Sequence, residues 1–128
     1  MVRAPRADRE QGSATVLTVA ATAVVITLVA ATLLVTGIVR DVHRAGSAAD
    51  LAALAAAAPM VAGAPPDCAA ARRVARANGA GLTGCDPHGG TAVVVAVSIA
   101  RSTSAGWLTG PGVVSARALA GVAEGESP

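Results

Sequence analysis

The chain has 128 residues, room for one domain at most, and is 53% hydrophobic with one Trp and neither Phe nor Tyr. An ordinary globular core leans on aromatics, so the apolar excess lies elsewhere. All ten basic residues are Arg, and the net charge of +2, with no basic cluster, gives no basis for a direct nucleic-acid partner.

Residues 1–12 form a short basic head carrying Arg3, Arg6 and Arg9. No charge then occurs between Glu10 and Arg40. A bilayer core of roughly 30 Å needs about 20 apolar residues, and a signal-peptide core has only about 7–15. Residues 13–39 therefore read as a retained transmembrane helix. The positive-inside rule weighs Arg3, Arg6 and Arg9 against Arg40 and Arg44 and favours a cytoplasmic N-terminus. The C-terminus is then extracytoplasmic.

Six threonines lie in this span. On a helical wheel Thr15, Thr18, Thr22, Thr32 and Thr36 fall within an arc of about 100°, and Thr27 does not. Such a face can bring helices together in lipid and support self-association. The competing reading is that each hydroxyl bonds back to its own helix.

The helical pattern continues through residues 40–58, RDVHRAGSAADLAALAAAA, rich in the best helix former. Residues 13–58 would make one helix about 69 Å long, with Gly46 as a point of bending. Asp41 and Arg44 are spaced to pair on its surface. Pro59 stops the helix, and residues 59–66 read as a linker.

Residues 67–128 read as a small extracytoplasmic α+β domain. Asp67 is a good N-cap for CAAARRVARAN and Gly79 a good stop. Cys68, Ala71, Val74 and Ala75 share one face; Arg72, Arg73 and Arg76 form a solvated one. LTGC is a short strand, DPHGG (86–90) a turn and TAVVVAVSIA (91–100) a strand with Val93, Val95, Val97 and Ile99 on one side. A polar loop around Trp107 follows, then a last strand, GVVSARALAGV, and a fraying tail.

Cys68 and Cys85 are the only cysteines. Outside the membrane they would form a disulfide; in a reducing cytoplasm they would remain thiols. Cys85 and His88 are spaced C-x-x-H, but no fourth ligand is evident and a disulfide would use both sulfurs. No serine has a His and acid partner. Gly79, Gly81 and Gly84 are not a phosphate loop, because no helix follows them. We expect no metal, no cofactor and no enzyme.

REQGSATVLTV (9–19) and HRAGSAADLAALAAA (43–57) together resemble the TadE/TadG-like family of Flp pilus-assembly proteins, in particular a short actinobacterial branch. The resemblance implies a pilin-like or pseudopilin-like membrane protein whose partners are the membrane and a Tad/Flp-type assembly or secretion apparatus. It also implies a prepilin-type cut after Gly12, leaving Ser13 as the new N-terminus. The family pattern has Glu five residues after the cut; here that position is Leu17, which removes the charge that would pair with a neighbour's amine.

The sequence thus predicts a membrane-anchored α+β protein. A long pilin-like helix is followed by a small helix and antiparallel strands. Its expected function is that of an accessory, pilin-like subunit of a Tad/Flp-type system. The alternative is a secreted or membrane-released binding protein acting through its head, cut near Ala58 or Gly63.

Overall fold

The computed structural model describes residues 7–101 and 112–123, with side chains of the first helix described from Gly12 onward. Arg3, Arg6, the Arg9 side chain, the Trp107 loop and the tail from 124 lie outside the described residues. The element order is helix α1 (Ala7–Ala57), a 3-10 helix (Ala58–Ala62), helix α2 (Cys68–Ala77), and strands β1 (Gly81–His88), β2 (Ala92–Ala100) and β3 (Val113–Gly121). The strands form one antiparallel sheet in the order β1-β2-β3. The fold class is α+β, as expected.

The chain forms two units, Met1–Thr36 and Gly37–Pro128. In the first, α1 is long and apolar enough to cross a membrane, and none of its most apolar stretch is buried. Leu17, Ile26, Leu28 and Leu33 are all exposed. A long apolar helix with its side chains exposed suits lipid, where the helix satisfies every backbone group internally.

In the second unit α1 changes character. Ala45, Ala48, Ala49, Ala52, Ala53 and Ala56 are buried, while Leu51 and Leu54 are exposed. This helical spacing makes a stripe of methyl groups, and it shares one core cluster with Val93, Val95, Val97 and Ile99 of β2. The alternation predicted for β2 is met in full: these four are buried and their neighbours are not. The opposed β3 residues on the same face are Ala120, Ala118, Ala116 and Val114. Small side chains on both layers fill the core, which has no aromatic ring among the described residues.

Asp41 is buried, with only 3% of its surface exposed, where the sequence pattern suggested a surface position. The Arg44 guanidinium lies against Gly79, where a Cβ would collide with it. Gly46 does not interrupt the helix. Pro59 stands in the first turn of the 3-10 helix, which Gly63 ends at φ 75°. The Asp67 amide then donates to the Ala56 carbonyl at 2.9 Å, satisfying a carbonyl at the end of α1.

The expected turn at residues 86–90 is displaced. Asp86, Pro87 and His88 belong to β1, and the reversal is made by residues 89–91. Gly89 and Gly90 carry it with φ of 62° and 79°, where other residues would be strained. Pro87 is tolerated because β1 is an edge strand.

Candidate functional site

The sequence points to three places: the Gly12–Ser13 junction, the threonine face and the cysteine pair. Gly12 and Ser13 both lie within α1 and are exposed, and a Cβ at Gly12 would meet nothing. Leu17 is 72% exposed, so the position where the family pattern has a carboxylate presents a bare apolar side chain.

The threonine hydroxyls donate to carbonyls three or four residues earlier. Thr18 reaches Thr15 at 2.9 Å and Thr22 reaches Thr18 at 2.8 Å. Thr32 reaches Val29 at 2.8 Å and Thr36 reaches Thr32 at 2.7 Å. Thr15 makes a longer bond to Gly12 at 3.4 Å, and Thr27, off the arc, bonds to Ala23 at 2.8 Å. Each donor is thereby satisfied without a second helix. What the arc then offers a neighbour is a methyl-and-hydroxyl surface small enough for close approach.

Cys68 and Cys85 form a disulfide with Cα atoms 6.0 Å apart, an ordinary span. The bridge ties the first residue of α2 to β1. At that helix start the Asp67 carboxylate accepts the Ala70 amide at 2.9 Å, the N-cap expected. Ala71 and Ala75 are buried and Arg72, Arg73 and Arg76 exposed, as the pattern required. Arg73 approaches Asp67 at 3.9 Å, a solvated pair of little energetic weight.

Because both sulfurs are in the bridge, Cys85 cannot serve with His88 as a thiolate ligand. His43 and His88 are exposed. Among the described residues no three His, Cys, Asp or Glu side chains converge.

Sequence reasoning missed three features. The alanine stripe of α1 was legible as helix but not as a packing face, although its spacing carried that signal. The burial of Asp41 had no signal in the local pattern. The third is a β-bulge: the β1–β2 register shifts between Leu82 and Gly84, leaving Thr83 as the extra residue.

One helix apolar on all sides leads without a break into a small disulfide-linked head, which is the layout of a single-helix anchored protein. Residues 12–58 match the Tad family model, the TadE/G-like Flp pilus-assembly domain. The match covers most of α1 and agrees with the resemblance carried by residues 9–19 and 43–57. No curated protein and no solved structure matches the chain.

Proposed function

We propose that this chain is an accessory, pilin-like membrane protein of a Tad/Flp-type pilus or secretion system. It has no catalytic role. Residues 1–12 stay in the cytoplasm, residues 13–39 cross the membrane, and residues 40–58 rise from it to support the head. Residues 59–66 return the chain to the head, residues 67–128. The observation that carries this reading is the family match over residues 12–58 falling on α1, the helix whose apolar surface is left bare.

The apparatus would hold the chain by α1, with the threonine arc as the surface for neighbouring helices. The head would then be displayed outside, where a disulfide persists. Deleting the chain should reduce the number or length of surface filaments while the other membrane proteins of the apparatus keep their normal levels. Unchanged filaments and unchanged secretion in the deletion strain would refute the assembly role.

A further inference from the structure

One face of the sheet packs into the core shared with α1, and among the described residues no element covers the other. On that second face two adjacent rows run across β1, β2 and β3: Asp86–Val94–Leu119 and Gly84–Ala96–Arg117. Leu119 is 62% exposed, and Asp86 and Arg117 are exposed as well. These two charges stand on opposite edge strands, and neither has an ion-pair partner among the described residues.

We propose that this face is covered by the same face of a second copy of this chain, related by a two-fold axis running along β2. That axis lays β1 of one copy across β3 of the other. Gly84, lacking a side chain, leaves room opposite Arg117 of the second copy. Asp86 stands one row away, about 7 Å along the strand, with the sheets about 10 Å apart. A long guanidinium side chain closes that gap, and the symmetry makes the contact twice. Val94 and Ala96 of both copies meet near the axis, and Leu119 of each copy stands opposite the aliphatic stem of Asp86 in the other.

The direction of α1 selects this arrangement. Arg44 lies against Gly79, just before β1, whereas Met60 and Gly63 border Gly90 and Thr91 at the other end of the sheet. The helix thus runs the same way as β1 and β3. An axis along β2 keeps the two helices parallel, so both chains enter their heads from one side and one membrane can hold both. Antiparallel pairing of the β3 edges would instead point the two helices in opposite directions. The proposal therefore rests on the membrane-anchored reading. A face three strands wide offers about 440 Å², half of the roughly 800 Å² per partner in a standard interface. The pairing accordingly depends on confinement of the copies to one membrane.

The test uses the full chain in isolated membranes and a short bismaleimide, since the sheet separation exceeds disulfide reach. Ala96→Cys should give a cross-linked homodimer, and Arg72→Cys, on α2, should give none. Arg117→Asp or Asp86→Arg should each lower the Ala96→Cys yield at least tenfold. Combining both reversals should restore it. Retention of the Cys68–Cys85 bridge in every variant controls for folding. Absence of the homodimer from chain found in the membrane pellet would overturn the proposal, as would a yield indifferent to charge or not restored by the double reversal. Chain missing from the membrane pellet would overturn the anchored reading and the proposal with it.

Discussion

Leu82 and Cys85 both face the core side of β1 although they are three residues apart, because Thr83 bulges between them. Successive residues of a regular strand alternate faces, so a spacing of three would put the two on opposite sides. The bulge lets one strand bury a leucine and still bring a sulfur to α2.

Cys68→Ser should therefore loosen the head without affecting insertion of α1. For a sequence separation of 17, the chain-entropy account gives about 3 kcal/mol. Proteolysis of the detergent-solubilised protein should be faster for the variant, with equal amounts in the membrane fraction. Equal protease resistance of variant and parent would show that the bridge contributes nothing. Deleting Thr83 should leave the bridge intact, since Leu82 and Cys85 would then stand two apart on a regular strand and still share the core face.

The alanine stripe predicts intolerance to size. Ala52 is fully buried in the shared core, and Ala52→Leu should destabilise the head by about 1–3 kcal/mol through overpacking. Leu54→Ala, at an exposed position of the same helix, should stay within about 0.5 kcal/mol of the parent. Thermal unfolding of the two variants checks this, and a silent Ala52→Leu would mean that α1 does not pack closely here.

Gly121 is fixed by space. A Cβ there would lie 2.6 Å from the Thr91 carbonyl oxygen and 2.8 Å from the Ala92 Cβ. The Val122 amide donates to the same carbonyl at 2.9 Å, which holds the two strands together at that end. Gly121→Ala should lower stability by about 1–3 kcal/mol; an unchanged unfolding midpoint would contradict the register of β2 with β3.

The Gly12–Ser13 junction separates two roles. Cleavage after Gly12 would remove Arg3, Arg6 and Arg9 and free α1 to leave the bilayer sideways into an assembly. Retention would keep three charges that resist extraction through lipid. With Leu17 in place of the carboxylate, we expect the uncut form. The intact mass of native protein should correspond to residues 1–128 or to loss of Met1 alone. A mass beginning at Ser13 would instead make the chain a filament subunit.

Much of this fold was legible because its signals are local. The charge gap between Glu10 and Arg40 marks the apolar helix, Asp67 and Gly79 bracket α2, and Val93, Val95, Val97 and Ile99 declare β2 by their alternation. What escaped depends on contacts between distant segments. DPHGG carries every mark of a turn, yet pairing with Ala92, Val93 and Val94 draws its first three residues into β1. Asp41 sits in a pattern that reads as solvent-exposed, yet it is buried. The threonine arc was visible, but its hydroxyls had two places to go, and the helix's own carbonyls take them.

The account depends most on α1 spanning the membrane with the head outside, and a single exposed thiol tests it. Arg72 is exposed on α2, whereas Ala71 and Ala75 of that helix are buried. Full-length Arg72→Cys in intact cells should react with a membrane-impermeant maleimide, and the labelled chain should stay in the membrane pellet after alkaline extraction. Labelling that appears only after the membrane is permeabilised, or labelled chain released into the soluble fraction, would contradict it.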